Sequence, residues 1–346
     1  MTRTVYLMTG MTLAAQLTLA AAQHPRPDFE RAQWQSLNGA WEFQFDPDDV
    51  GLQENWHALP RPYARTIRVP YAWESKLSGV GDTQYKGVAW YRREFTLPDR
   101  WRGQRVWLCF GAVDHHATVW VNGVRVGEHE GGYSEFRFDI TPHVRFDRPN
   151  AVVVRVEDRT DRETPLGKQV PDWYTSVSGI WQTVWLEATG AARIESFQIA
   201  PLADEAGVPT GVVEFRVALD REAVREPLQL ELRSRNRAFP AVRFGILETD
   251  AEKTFRLTLE NPRLWSPSSP YLYPFELRLL SADGKRAYDA VQGYFGVRAV
   301  RWGKYGDAEH SFVLLNGKPI YLRGVLDQSY NPDGLYTAPD DEFLKR

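Results

Sequence analysis

The segment TVWVNGVRVGEHEGGYSEFRFDIT (residues 118–141) carries the clearest structural signal in this chain. Two runs with alternating valines flank the dipeptide Asn122-Gly123, so the valines of one run are expected to face those of the other. Asn-Gly between alternating apolar runs favours a two-residue β-hairpin, because both residues tolerate positive φ. The segment therefore predicts an antiparallel hairpin inside a larger β-structure.

Similar strand-like runs continue on both sides of this hairpin, from about Gln33 to Glu187, and no long run there has helical periodicity. These runs are SLNGAWEFQFD (36–46), VAWYRREFTL (88–97), RVWLCFGAV (105–113), NAVVVRVED (150–158) and IWQTVWLEA (180–188). Alternating strands with polar turns predict a large antiparallel β-sandwich, most simply a jelly roll.

A second strand series follows Arg193. It comprises RIESFQIA, GVVEFRVAL, LQLELRSR, AVRFGI, TFRLTLE and FELRLLSADGKRAYDAV. Six or seven short strands in about 105 residues predict an immunoglobulin-like sandwich, although without the paired cysteines of antibody domains. The proline-rich stretch LWSPSSPYLYPF (264–275) is predicted to be a loop, since a central strand could not accommodate its prolines.

The C-terminal part changes character. A further hairpin is predicted in FVLLNGKPIYLRGV (312–325), with PIYLRGV (319–325) as a strand. Pro339 followed by the acidic residues 340–342 is typical of a helix N-terminus, because proline lacks an N–H and carboxylates suit the positive end of the helix dipole. A strand followed by a helix after two all-β units indicates a change to α/β architecture.

Length and composition narrow the class of protein. The chain has 346 residues, 43% apolar content and a formal net charge of −3, so two or three folded domains are expected and nucleic acid is not an expected partner. The single cysteine, Cys109, excludes an internal disulfide and is predicted to be an inert core residue. No metal or cofactor is predicted, because no cluster of His, Cys, Asp or Glu has convincing ligand spacing.

The N-terminus is open to two interpretations. Residues 1–23 fit a signal peptide cleaved after Ala22, which predicts a secreted or periplasmic protein. Alternatively they are a start without fixed structure, in which case the protein is cytoplasmic. No transmembrane segment is predicted, so a membrane is not an expected partner.

Several of these motifs, in their order and spacing, resemble glycoside hydrolase family 2, which includes β-galactosidases, β-glucuronidases and β-mannosidases. The motifs are NGAWEFQFD (38–46), AWYRREF (89–95), VWVNGVRVGEHEGGYSEFRFDIT (119–141), SGIWQTVWLE (178–187), LWSPSSPYLY (264–273), FGVR (295–298) and LLNGKPIYLRGV (314–325). The resemblance implies a jelly-roll sugar-binding domain at 24–190, an immunoglobulin-like sandwich at 191–299 and the truncated start of a (β/α)8 barrel at 300–346.

The resemblance also implies a chemistry. Family 2 enzymes are retaining exo-β-glycosidases that use two carboxylates about 5 Å apart to hydrolyse O-glycosidic bonds in carbohydrates. The family's catalytic glutamates lie on later barrel strands, so they are expected beyond Arg346. No catalytic residue is therefore assigned in this chain, and the chain alone is expected to be inactive. The implied partner is a carbohydrate substrate, and the resemblance is compatible with a homo-oligomer of the full-length enzyme.

Candidate substrate-binding residues follow the predicted strand 319–325. Asp327 and Gln328 carry groups that hydrogen-bond sugar hydroxyls, and Tyr330 or Tyr336 offers an aromatic face to a sugar ring. The alternative is a loop that only orders itself, because NPDG (331–334) is a good turn sequence.

Two loops of the first sandwich are the other places where the resemblance implies contact with substrate. The loop SGVGDTQYKG (78–87) contains Asp82, and the loop GKQVPDWYTSV (167–177) contains Asp172 and Trp173. The alternative for all three residues is an ordinary solvated loop.

Eleven of the thirteen tryptophans lie between Trp34 and Trp185, which invites interpretation as a carbohydrate platform. Those within predicted strands are instead expected to fill the space between sheets. Five of these are Trp41, Trp107, Trp120, Trp181 and Trp185.

Two other functions remain open at the level of sequence. One is a pair of non-catalytic carbohydrate-binding sandwiches, and the other is a surface interaction protein built on the immunoglobulin-like domain. Residues 326–346 are expected to be poorly ordered or docked on a sandwich, because apolar residues such as Phe343 and Leu344 have no evident neighbours to bury them.

Overall fold

The structure is a computed structural model that describes residues 23–58, 62–160, 167–169, 173–221, 223–328 and 330–346. The predicted signal peptide therefore lies outside the described residues, apart from Gln23. Among the described residues, no helix is long and apolar enough to cross a membrane.

The first sandwich consists of two antiparallel sheets. Its strands are β1 (Trp34–Ser36), β2 (Gly39–Asp46), β3 (Arg65–Val69), β4 (Gly87–Phe95), β5 (Arg105–Phe110), β6 (Val113–Asp114), β7 (His116–Val121), β8 (Val124–Glu130), β9 (Phe136–Asp139), β10 (Asn150–Asp158), β11 (Gly179–Ile180) and β12 (Val184–Thr189). A six-stranded sheet in the order β3-β2-β4-β10-β7-β8 packs on a four-stranded sheet in the order β1-β12-β5-β9, and β11 pairs with β6. The predicted β-sandwich is confirmed.

The hairpin predicted at Asn122-Gly123 joins β7 to β8. Both residues have positive φ, +51° and +82°, as a two-residue hairpin turn requires. Val121 pairs with Val124, but a β-bulge beyond them shifts the register so that Val119 faces Gly127. The expected facing of valine runs therefore holds only at the turn.

The five tryptophans expected to fill the space between the sheets are all buried: Trp41, Trp107, Trp120, Trp181 and Trp185. Only Trp41 belongs to the core between the two sheets. The other four lie in separate buried clusters, so the prediction is confirmed for their burial and wrong for their position. Cys109 is also buried and free, and burial raises the pKa of its thiol well above the ordinary value. These residues are packing residues rather than exposed platforms.

The second sandwich has seven strands among the described residues. They are β13 (Arg193–Ala203), β14 (Pro209–Asp220), β15 (Leu228–Ser234), β16 (Val242–Ile246), β17 (Glu252–Thr258), β18 (Tyr273–Ser281) and β19 (Ala287–Phe295). A three-stranded sheet β13-β14-β17 faces a four-stranded sheet β16-β15-β18-β19 across a core that includes Phe215, Phe275 and Phe295. The proline-rich stretch predicted to be a loop at 264–275 lacks regular strand structure over 264–272, but its last three residues, including Pro274, belong to β18. Pro274 pairs with Tyr294 of β19, so the prediction was wrong for these three residues.

The last part of the chain forms a small sheet and one short helix. The strands are β20 (Val300–Lys304), β21 (Ser311–Leu315) and β22 (Lys318–Pro319), and the helix is α1 (Asp341–Lys345). The Asp340 side chain caps the helix by accepting a hydrogen bond from the Phe343 N–H at 2.7 Å. The acidic helix start is confirmed, with Pro339 one residue before the cap rather than at the first helical position.

The strand predicted at 319–325 does not form. Residues 320–328 have no regular structure, and residues 321–328 are exposed. The described residues provide this run with no partner strand beyond the two-residue pairing of β22, and an unpaired strand leaves its backbone donors and acceptors without partners. Apolar alternation alone was therefore an insufficient signal here.

An N-terminal segment, residues 24–33, bridges the two sandwiches. Arg31 is buried and donates to Glu187 on β12 at 2.6 Å and to Asp289 on β19 at 2.9 Å. It also donates to the Ile194 carbonyl at 2.6 Å, and His24 lies 3.3 Å from Glu187. One guanidinium thus joins a carboxylate of each sandwich.

Candidate functional site

The two loops predicted to contact substrate meet at one cleft of about 490 Å³. Its lining residues are Thr83, Gln84, Lys86, Thr160, Trp173, Tyr174, Thr175 and Ser176. The lining combines hydroxyls, one amide, one ammonium and two aromatic rings. This is the donor, acceptor and apolar set that a polyhydroxylated ring with apolar C–H faces requires.

Trp173 is the most prominent group at the cleft. Its side chain is 78% exposed, unlike the buried strand tryptophans. Its ring stacks against Tyr174 with an interplanar angle of 3° and a centroid distance of 6.0 Å. An exposed aromatic side chain beside a second, parallel ring offers an apolar face to a ligand.

Tyr330 comes from a distant part of the chain and closes one side of this loop. Its ring lies 5.2 Å from that of Tyr174, and its hydroxyl donates to the Thr175 carbonyl at 3.1 Å. The Lys168 ammonium lies over both rings, 5.6 Å from the Tyr174 centroid and 5.3 Å from the Tyr330 centroid. The structure therefore brings predicted residues Trp173 and Tyr330 into one aromatic cluster.

Tyr330 is placed there by residues 330–340, which we call the strap. The strap packs Tyr330, Leu335 and Tyr336 against a buried group that includes Trp181, and the Tyr336 and Trp181 rings lie 5.2 Å apart. Of the two alternatives expected for residues 326–346, docking on a sandwich is observed for residues 330–340. Residues 326–328 and 341–346, including Phe343 and Leu344, are exposed. Tyr336 serves this packing instead of facing the cleft.

Polar contacts fix the strap at both ends. At one end the Asp333 carbonyl accepts from the Ser75 hydroxyl at 2.7 Å and from the Leu77 N–H at 3.1 Å. At the other end the Thr337 hydroxyl donates to the Trp181 carbonyl at 2.5 Å, and the Tyr71 hydroxyl donates to the Pro339 carbonyl at 3.2 Å.

The other predicted residues are placed less favourably for a common site. Asp82 accepts hydrogen bonds from the backbone N–H groups of Gln84 and Tyr85, each at 3.0 Å, so it orders its own loop. Asp327 and Gln328 are exposed, and no hydrogen bond or ion pair joins them to another described residue. Asp172 lies outside the described residues.

Two buried acids behind the cleft were not predicted. Glu74 accepts from the Ser178 hydroxyl at 2.7 Å and the Ser178 N–H at 2.9 Å, and Lys86 lies 3.8 Å away. Burial raises the pKa of Glu74 to about 7. Burial, reinforced by the negative charge of Asp158, also raises the pKa of Asp114 to about 7.

These acids are not a catalytic pair. Glu74 and Asp114 are each 3% exposed, and neither lines the cleft. Asp114 is instead tied to Gln169, whose side-chain amide donates to it at 2.6 Å and to the Tyr133 hydroxyl at 3.1 Å. The side-chain oxygen of Gln169 also accepts a hydrogen bond from the Val177 N–H at 2.7 Å. This hydrogen bond spans the base of the 167–177 loop.

Comparison with known proteins decides the family. The family model described as "Glycosyl hydrolases family 2, sugar binding domain" matches residues 34–189. The family model described as "Glycosyl hydrolases family 2" matches residues 192–298. Together they cover both sandwiches in the order that the sequence motifs implied.

The chain belongs to glycoside hydrolase family 2.

Similar proteins of the family are glycosidases. A β-glucuronidase of Paenibacillus borealis is 29% identical over 83% of this chain and 48% of its own length. A β-galactosidase of Thermoanaerobacter pseudethanolicus is 27% identical over 84% of this chain and 36% of its own. This family 2 chain thus spans about half the length of such relatives, or less.

Solved structures of β-glucuronidases share the architecture. A β-glucuronidase of Bacteroides uniformis matches with a TM-score of 0.70 and 26% identity, over 87% of this chain and 36% of that one. A β-glucuronidase of Ruminococcus gnavus in complex with D-glucuronic acid matches with a TM-score of 0.66 and 26% identity, over 85% of this chain and 50% of that one.

Proposed function

We propose that this chain is the N-terminal portion of a retaining exo-β-glycosidase that hydrolyses O-glycosidic bonds in carbohydrates. Membership of family 2 and similarity to β-glucuronidases and β-galactosidases support this. In this proposal residues 300–346 begin a (β/α)8 barrel, and the acid and the nucleophile belong to polypeptide outside these 346 residues. Retaining hydrolysis needs two carboxylates about 5 Å apart facing the sugar, a role for which the buried Glu74 and Asp114 are unsuited.

The observation that carries the proposal is the meeting of the strap with the 167–177 loop. Tyr330, which follows the second sandwich by more than 30 residues, contacts Tyr174 on a loop of the first sandwich. A segment leading toward a catalytic domain and a sugar-contact loop thus share one aromatic cluster. A pair of independent binding modules would have no use for that contact.

In the proposed enzyme this chain contributes substrate contacts rather than chemistry. Trp173 provides an apolar face for a sugar ring, and Thr83, Thr175 and Ser176 line the same cleft and carry hydroxyls that can bond to the sugar. Asp82, Asp172, Asp327 and Gln328 remain proposed contacts, which would act through hydrogen bonds to sugar hydroxyls.

The experiment is a calorimetric or NMR titration of the 346-residue chain with methyl β-D-glycosides. We expect saturable binding that weakens about tenfold or more in Trp173→Ala, because loss of a central aromatic contact typically costs about 2 kcal/mol and about 1.4 kcal/mol corresponds to tenfold. Trp302→Ala is the matched control, since Trp302 is 71% exposed but lies on β20. Equal effects of the two substitutions, or no binding by the native chain, would refute the proposed site.

A further inference from the structure

Gln169 carries a buried amide whose hydrogen bonds join three parts of the first sandwich. The residue is 1% exposed. Its side-chain nitrogen donates to Asp114 of β6 at 2.6 Å and to the Tyr133 hydroxyl at 3.1 Å. Its side-chain oxygen accepts from the Val177 N–H at 2.7 Å. Both N–H donors of the amide and one lone pair of its oxygen are therefore in use.

The amide is well matched to these three partners. A carboxylate of the same length has no proton to donate to Asp114 or to Tyr133, and an apolar side chain makes none of the three bonds. The reverse orientation of the amide would point its N–H groups at the Val177 N–H, which sets donor against donor. The observed orientation is therefore the favourable one, and it holds the two ends of the loop together.

The bond from Val177 closes the loop directly beside its cleft-lining residues. These are Trp173, Tyr174, Thr175 and Ser176, and Val177 is the next residue along the chain. Gln169 itself is not among the residues that line the cleft. Its effect on a ligand would therefore pass through the segment 173–176, whose end it fixes.

The strap holds the same segment from another side. The Tyr330 ring lies 5.2 Å from the Tyr174 ring, and the Tyr330 hydroxyl donates to the Thr175 carbonyl at 3.1 Å. Within the strap, the rings of Tyr330 and Tyr336 lie 5.1 Å apart at an interplanar angle of 80°. Release of the strap would thus remove both contacts from the segment 173–176.

Tyr133 links the base of the loop to the strap. Its ring lies 6.0 Å from that of Trp181 and 6.1 Å from that of Tyr336, and its hydroxyl accepts from Gln169. Gly167, at the start of the loop, has a φ of +58°, and a Cβ there would lie 2.5 Å from the Tyr133 hydroxyl oxygen. The close approach of the loop to this ring therefore depends on glycine.

These contacts form a closed circuit from the base of the loop, through Tyr133 and the strap, back to the segment 173–176. We propose that Gln169 and Tyr133 are positioning residues of the cleft, and that docking of the strap through Tyr336 determines how firmly the segment 173–176 is held. The inference rests on the proposed function, because it concerns the same cleft. It makes sugar affinity depend on Tyr336, which is not among the residues that line the cleft, because a site whose supporting contacts are loosened binds less well.

The first experiment changes the strap and observes the loop in the full 346-residue chain. In Tyr336→Ala, exchange of the Val177 amide hydrogen should become about tenfold faster, because the loop opens more often. Methyl β-D-glycosides should bind about fivefold more weakly, within the range for substitutions that act through contiguous contacts. Tyr336→Phe keeps the ring and should restore most of both values. Tyr321→Ala is the matched control, because Tyr321 is 84% exposed.

The reverse experiment changes the base of the loop and observes the strap. Gln169→Met keeps the length of the side chain and removes its hydrogen bonds, so exchange within residues 330–340 should become faster although the strap itself is unaltered. Tyr133→Phe is the milder variant, which keeps the ring and removes one acceptor of Gln169. It should show the same change to a smaller extent, and it serves if Gln169→Met does not fold. Gln53→Met, at an exposed loop position, is the matched control.

A purely structural role for these residues would leave the strap and the loop independent. If Val177 exchange and sugar affinity in Tyr336→Ala equal those in Tyr321→Ala, the inference is wrong. Strap exchange that is the same in Tyr133→Phe as in Gln53→Met also overturns it.

The outcomes are separate from those of the proposed function. Unchanged sugar affinity in Tyr336→Ala, together with weakened binding in Trp173→Ala, overturns the inference and leaves the proposed cleft standing. If the native chain binds no methyl β-D-glycoside, the proposed cleft is wrong, and the exchange measurements still decide whether the strap and the loop are coupled.

Discussion

At the scale of single residues, the buried acids make the stability of this chain depend on pH near neutrality. Glu74 and Asp114 both have pKa values raised by burial to about 7. A carboxyl group with a raised pKa binds a proton more readily in the folded than in the unfolded state. Stability should therefore increase as pH falls from above 7 toward the ordinary pKa of about 4.

Glu74→Gln tests this directly. Glutamine keeps the size of the side chain and can still bond to Ser178, but it carries no charge. The variant should be more stable than the native chain at pH 8.5 and about equally stable at pH 5, so its melting temperature should vary less with pH. Asp114 retains its own dependence, so the slope should diminish rather than vanish.

Melting temperatures measured across pH 5 to 8.5 check the prediction, with Glu309→Gln as the exposed control. An unchanged pH profile in Glu74→Gln would contradict the assignment of a raised pKa. Glu187 behaves oppositely, because its contacts with His24 and Arg31 hold its pKa at about 2 despite burial. The stability that Glu187 contributes to the fold is present above about pH 4.5 and is lost only as pH falls toward 2.

The sequence placed Trp173 in a loop that lines the cleft. Trp173 was named because the resemblance to family 2 implies that its loop contacts substrate, and Tyr330 because it follows the predicted strand 319–325. Contact of either residue with a sugar stays a prediction. Lys168, Tyr174 and Glu74 were missed, because their roles depend on which distant residues lie above them. Nothing in the local sequence around Lys168 indicates that two tyrosines 156 residues apart meet beneath its ammonium.

At the scale of elements, the strap is held on the first sandwich by packed side chains and a few hydrogen bonds. Tyr336 is central, because its ring packs on Trp181 and its hydroxyl lies 3.4 Å from that of Tyr133. Tyr336→Ala should remove contacts on both sides and free the strap from the sandwich. The free energy that holds the strap on the sandwich should fall by about 1–2 kcal/mol, as expected for the loss of a half-buried aromatic side chain.

Amide hydrogen exchange measures this prediction. In Tyr336→Ala, exchange within residues 330–340 should become faster while the strands of the sandwich stay protected. Tyr321→Ala is the matched control, because Tyr321 is 84% exposed in the neighbouring irregular stretch. If exchange in the strap is the same in both variants, the packing of Tyr336 does not hold the strap in place.

The two Asn-Gly sites and the stretch 319–325 show what sequence can predict about elements. Both dipeptides form turns with positive φ, because that preference is local to the two residues. The strand expected at 319–325 needed hydrogen bonds from a neighbouring strand, which its own residues do not specify. Element type was therefore predictable where its cause is local, and unpredictable where pairing decides it.

At the scale of the whole molecule, Arg31 couples the two sandwiches. Its guanidinium contacts Glu187 and Asp289 in a buried setting, so its removal leaves two buried carboxylates without their cation. Arg31→Ala should destabilise the chain by about 3–5 kcal/mol, as expected when one partner of a buried ion pair is lost.

Arg26 provides a control on the same N-terminal segment. Its side chain is 39% exposed and pairs with Asp28 and Glu135, so Arg26→Ala should cost no more than about 1 kcal/mol. Urea denaturation of the Arg31→Ala and Arg26→Ala variants measures the loss in free energy of unfolding for each. Equal losses would mean that the buried network does not join the sandwiches more strongly than a surface pair.

The central claim is that these residues form the sugar-contacting scaffold of a family 2 glycosidase without its catalytic carboxylates. The most direct measurement is nitrophenol release from nitrophenyl β-D-glucuronide and nitrophenyl β-D-galactoside by the purified 346-residue chain. We predict no release above that of buffer from a preparation that binds methyl β-D-glycosides. Reproducible turnover that a point substitution in this chain abolishes would contradict the claim.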